Sequence, residues 1–213
     1  MIHQQTGEVL ETDDLFVVDE ATFAEHAATW VSNIVSPPMM AILCALLVAT
    51  TVNNRGWMWA TLFIVLSIGL PMVYLVWLLS TGSISDIHVP LRQQRIRPYM
   101  ASLIVACGVL ILFLWWPAPQ QFQMLAYAFV LQAALFLLIT LRWKISLHSA
   151  AASNLAVIGW LTVGLNGLAL ALIIPVVAWA RVHLRRHTLA QTVGGALLGV
   201  VVVMTALWLT NVV

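Results

Sequence analysis

The distribution of charge restricts this chain more than any other feature. Seven of its eight acids (Glu8, Glu11, Asp13, Asp14, Asp19, Glu20 and Glu25) lie in the first 25 residues, a segment without Lys or Arg. The eighth is Asp86, and no acid follows it. From about residue 38 the sequence runs in long apolar stretches separated by short polar ones. Only 8% of residues are charged and 62% are hydrophobic, against roughly 25% charged in a soluble domain. Hydrocarbon offers the backbone no hydrogen bonds, so runs of this kind must satisfy their own N–H and C=O groups as helices. The expected fold is all-α, a polytopic transmembrane bundle whose first partner is the lipid bilayer. No nucleic acid partner is expected.

The apolar runs predict spans at 38–54, 57–79, 99–116, 122–142, 149–165, 168–182 and 189–212. Several fall short of the about 20 residues that a crossing helix needs, so the expectation is six or seven. Two regions follow: an acidic segment over 1–36 and a membrane domain over 37–213. Within the first, residues 19–35 put Phe23, Ala27, Trp30 and Ile34 on one helical face. That pattern suits a helix lying along the membrane surface or docking other membrane subunits. Ser36-Pro37-Pro38 reads as a helix start. Cys44 and Cys107 sit in apolar runs and read as packed thiols. Trp57, Trp59, Trp77, Trp115, Trp116, Trp143 and Trp179 fall near span ends, as an aromatic belt requires. The Gly and Ala of SAAASNLA and VGGALLG suit close helix packing in lipid.

The loops alternate in character. NNRG, PAPQQ and LNG are short and carry one cation, Arg55; the other three hold Arg92, Arg95, Arg97, Arg142, Lys144, Arg181, Arg185 and Arg186. With seven spans, all three basic loops and the N-terminus share one face, which positive-inside reasoning assigns to the cytoplasm. The expected location is a bacterial cytoplasmic membrane.

The basic loops also supply chemistry. A guanidinium fork suits tetrahedral oxyanions and cannot lose its proton, and histidine supplies a nucleophile or a proton donor near neutral pH. Two of the loops run directly into helices, where Ser146 or Ser149 and Thr188 are candidate N-caps and free N–H groups favour phosphate. No cofactor signature and no metal-ligand spacing is present, so no cofactor and no metal are expected.

Order and spacing make the three loops resemble the signature motifs of the type 2 phosphatidic acid phosphatase family, integral-membrane lipid phosphatases related to vanadium haloperoxidases. Arg181 is followed by His187 and then Gln191 at the spacing of the third motif, with Val193 and Gly195 after them. Ile145-Ser146-Leu147-His148 stands for the second motif, and Arg97-Pro98 ends the first. The resemblance covers about residues 81–200. It implies His187 as a nucleophile forming a phosphohistidine, with Gln191 orienting its ring. It implies His148 as the proton donor to the leaving alkoxide. Arg181, Arg97 and Ser146 would hold the phosphoryl oxygens. Three positions depart from the family pattern: Gln191 replaces an Asp, Leu147 a Gly, and Pro90 a Lys whose place Arg92 or Arg95 is expected to take.

The resulting expectation is an integral-membrane phosphatase acting on a lipid or prenyl phosphate. Its rival is a phosphatase-like bundle that has lost the reaction and serves as a structural subunit of a larger membrane complex. Membrane enzymes that hold Mg²⁺-diphosphate need several Asp residues, and a domain with one acid excludes that class.

Overall fold

The computed structural model describes residues 22–86, 89 and 91–212, with Arg92 described by its backbone alone. Among the described residues every regular element is helical. A short helix α1 (Phe23–Ile34) leads at a 46° bend into α2 (Pro37–Thr51). Next comes a stretch of α3 (Gly56–Phe63), a π-helical turn (Ile64–Gly69) and α4 (Leu70–Ser80). A 3-10 turn (Arg92–Arg95) opens α5 (Ile96–Trp115), which is followed by α6 (Gln120–Thr140) and α7 (Leu147–Val163). A 3-10 segment (Gly164–Leu172) joins α7 to α8 (Ile173–His183), and α9 (Leu189–Thr210) is the last helix.

Among the described residues five helical stretches are long and apolar enough to cross a membrane, and six if the bent α1–α2 pair counts as one. One of the five, Leu147–His183, spans 37 residues and is no straight rod. Gly164 has φ +65° and ψ −144°, a backbone state open in practice only to glycine. There the chain folds back, so that Gly167 meets the backbone of Gly159. The apolar runs predict two spans here, at 149–165 and 168–182, with a loop at LNG. Those residues instead continue in 3-10 form, which keeps their backbone groups paired inside an apolar layer.

α7 is the central helix. Small residues dominate its buried face, Ala150, Ala151, Ala152 and Ser153 among them, and they let α2 and α9 approach closely. The approach to α9 leaves no room for side chains: a methyl at Gly195 would collide with the Ser146 carbonyl, and one at Gly199 with the Ala150 carbonyl. Asn154 fastens the same seam. Its side-chain amide nitrogen, correctly oriented, donates to the carbonyls of Gly199 at 3.0 Å and Ala150 at 3.1 Å.

The ends of the bundle differ. Away from the basic segments, Trp59 meets Phe113 and Trp116 edge-on at 5.3 Å each, beside buried Phe122. Trp59 is therefore a core residue, unlike Trp57, Trp77, Trp115, Trp116, Trp143 and Trp179, which are exposed as a belt requires. Its position two residues from Trp57, about 200° round the helix, turns it inward. Cys44 is buried, whereas Cys107 is exposed on the outer face of α5 rather than packed.

Candidate functional site

At the basic end a cavity of about 440 Å³ opens inside the bundle. Along α7 it is lined by Leu147, His148, Ala151, Asn154 and Ile158. Those positions recur every three or four residues, so one helical face forms the wall. From His148 to Ile158 the wall is about 15 Å long at the rise of an α-helix. Most of the remaining lining is apolar, from Phe63, Met72, Leu75, Phe129 and Val203. Polar groups line it partway down: the side chains of Gln132 and Asn154 meet at 2.6 Å. Ser67, on the π-helical turn, brings a buried hydroxyl with no hydrogen-bond partner among the described residues.

One end of the cavity is cationic. Arg95, His148, Arg181 and His187 all line it, one or two from each basic segment. Local structure explains how they arrive there. α8 ends at His183, and the backbone N–H groups of Arg186 and His187 both return to the Arg181 carbonyl, at 3.1 and 3.2 Å. This tight turn, with Arg185 at φ +51°, folds His187 back beside Arg181. Thr188 then caps α9. Its hydroxyl accepts from the Gln191 N–H at 3.3 Å, and its own N–H donates to Gln191 Oε1 at 3.2 Å, which completes a capping box.

The capping box decides the state of His187. Nδ1 of His187 lies 3.1 Å from the same Gln191 Oε1. The Thr188 backbone N–H is an obligate donor, so the shared atom is an oxygen and Nδ1 must donate to it. The ring therefore carries its proton on Nδ1 and keeps a lone pair on Nε2. His187 is only 6% exposed. Burial first, then Arg181, Arg95 and Lys144, press its pKa down from 6.5 to about 3, against a smaller opposing effect of the Gln191 hydrogen bond. Lys144 is held below the usual lysine range by its own partial burial and by Arg95, Arg181 and Arg186.

Two buried arginines set this field, and among the described residues each donates to a neutral oxygen. Arg181, 2% exposed, donates from Nη1 to the Ser32 hydroxyl at 2.6 Å. Its Nε is buried with no partner among the described residues. Arg95, 7% exposed, donates from Nε to the Val89 carbonyl at 2.8 Å. Val89 itself has φ +44°, a region that β-branched residues avoid at a cost of about 1–3 kcal/mol. Buried charges are ordinarily paired with opposite charge. Here neutral oxygens hold both guanidinium groups among the described residues, and neither bond neutralises the charge.

The chain matches no family model, no curated protein and no solved structure with which it was compared.

The structure brings His187, His148 and Arg181 to one cavity, with Gln191 behind His187. It leaves two expected ligands of phosphate outside. Arg97 is exposed and does not line the cavity; Arg95 faces it instead. Ser146 is fully buried as the N-cap of α7, its Oγ accepting from the Ser149 N–H at 3.4 Å and the Ser149 hydroxyl at 3.1 Å. The Arg92 side chain, His88, Pro90 and the acids of residues 1–20 lie outside the described residues. Asp86 does not line the cavity. Ser32 and Val89 carried no signal in the sequence: they act through a hydroxyl 149 residues from Arg181 and a main-chain carbonyl.

Proposed function

We propose that this chain is an integral-membrane phosphatase-like enzyme that hydrolyses a lipid or prenyl phosphate, on a bundle of the phosphatidic acid phosphatase type. One observation carries the reading: two histidines and two arginines, both arginines bonded to neutral oxygens among the described residues, line one end of a cavity whose other walls are largely apolar. A phosphate ester on a long hydrocarbon chain matches both halves. Its oxyanions meet fixed donors, and its chain replaces contacts that lipid would otherwise make.

In this reading Nε2 of His187 gives its lone pair to phosphorus as the bond from phosphorus to the ester oxygen breaks. The departing alkoxide takes a proton from His148. Water then attacks the phosphohistidine and passes a proton to His148, and the electrons of the N–P bond return to His187. Arg181 and Arg95 hold the charge that gathers on the non-bridging oxygens. Gln191 keeps the reactive lone pair on Nε2, although an amide stabilises imidazolium less than a carboxylate does. The test is phosphate release from phosphatidic acid and a prenyl phosphate by the purified protein. The expected result is turnover by wild type that His187→Ala abolishes. Equal inactivity of two folded proteins would sink the enzyme reading.

A second reading is favoured by Gln191, which stands where the family it resembles has an acid, and by the exposed Phe23, Trp30 and Ile34 of α1. It is a non-catalytic subunit that binds anionic lipid and docks a membrane partner through residues 1–36. That reading expects lipid phosphate binding without phosphate release, and a larger particle on extraction from the native membrane.

A further inference from the structure

The geometry points to Ser32 as a positioning residue of the anion site, which makes the N-terminal helix α1 a working part of it. The inference rests on the reading of the cationic end as a phosphate site. Ser32 is 3% exposed, on the face of α1 that packs against α8 together with Ala28. The outer face of the same helix exposes Phe23, Trp30 and Ile34. Residues Ser36, Pro37 and Pro38, at the bend into α2, line the cavity. α1 thus reaches the site twice, through the bend and through Ser32.

The chemistry of the contact matters more than its existence. Buried hydroxyls in this bundle can be satisfied within their own helix: Ser153 donates to the Ser149 carbonyl and Thr210 to the Ala206 carbonyl. The Ser32 hydroxyl instead accepts from Arg181 Nη1 across the helix boundary. A hydroxyl fixes the direction of a guanidinium without cancelling its charge. A carboxylate at the same place would fix it equally well and neutralise it. Arg181 keeps a buried Nε–H, without a partner among the described residues, beside the cavity that its own residue lines. The neutral partner on one side leaves the full charge for an anion on the other.

That distinction gives a test in which a merely structural hydrogen bond and a site contact predict opposite results. The full chain in detergent micelles is titrated with inorganic phosphate at constant ionic strength, and its melting temperature is followed in parallel. Ser32→Ala is expected to weaken phosphate binding about tenfold, the usual loss of a hydrogen bond to a charged group. Ser32→Thr, which keeps the hydroxyl, should restore affinity to near wild type. Ser32→Asp should preserve the melting temperature by pairing with Arg181 yet weaken phosphate binding about a hundredfold. If Ser32→Asp and Ser32→Ala both bind phosphate like wild type while Arg181→Ala does not, the site stands and the role of Ser32 is overturned. If wild type binds no phosphate, the reading of the site falls, and this inference with it.

Discussion

The two ends of this bundle are made from the same apolar vocabulary and do opposite things with it. At the far end Trp59, Phe113 and Phe122 fill the space between helices. At the basic end Ala151, Asn154 and Ser67 leave a cavity open, and two arginines are buried against neutral oxygens. In a membrane, helices associate through packing and hydrogen bonds and not through a hydrophobic drive between them. The filled end therefore supplies the cohesion that lets the other end remain hollow and charged. Packing and openness are thus divided between the two ends, and the division can be attacked from either side.

The largest effect is expected at the hollow end. His187→Ala should lower phosphate release about a thousandfold or more, a loss of roughly 4 kcal/mol of barrier stabilisation, with the melting temperature little changed. The mirror experiment is Phe113→Ala at the filled end. It should cost about 2–4 kcal/mol in lost packing, read by thermal melting in micelles, while the surviving folded protein binds phosphate normally. A collapse of phosphate affinity in that variant would show that the ends are not separable.

Gly195→Ala strikes the seam that joins α7 to α9. The added methyl meets the Ser146 carbonyl, and relief of such overpacking costs about 1–3 kcal/mol. Because the Ser146 N–H also donates to the Gln191 carbonyl at 3.2 Å, activity and melting temperature should fall together. Acid provides a gentler probe. His187 resists protonation down to about pH 3, whereas in the unfolded chain it protonates near 6.5. Between those values the unfolded chain holds the extra proton, so stability falls as pH falls, by up to about 1.4 kcal/mol per unit. Melting curves from pH 7 to 4 should show this slope, and His187→Gln should flatten it. The smallest effect belongs to Arg97→Ala. An exposed cation outside the cavity should change phosphate affinity by less than about twofold, since surface charges contribute little.

Much of this architecture was legible as pattern. Apolar runs gave the helices, and the spacing of Arg181, His187 and Gln191 singled out three residues that do meet. Ser146 and Thr188 were legible as caps because a hydroxyl before an apolar run has few other uses. What the pattern could not supply was direction. Arg95 and Arg97 lie about 200° apart on a helix, so one must face in when the other faces out, and nothing in RQQRIRP says which. The Ser32–Arg181 contact joins residues 149 apart, beyond any local periodicity. The reversal at Gly164 was visible as a loop signal, but its continuation in 3-10 form follows from the need to pair backbone groups in an apolar layer.

Gln191 has a consequence in time as well as in space. One oxygen both caps α9 and holds the proton of His187 on Nδ1. The ring acquires a defined tautomer only when the first turn of α9 has wound. Until that turn forms, an incompletely inserted chain carries an imidazole free to place its proton on either nitrogen. The same oxygen that caps α9 thus fixes the imidazole, and the tautomer of His187 reports whether that first turn is in place.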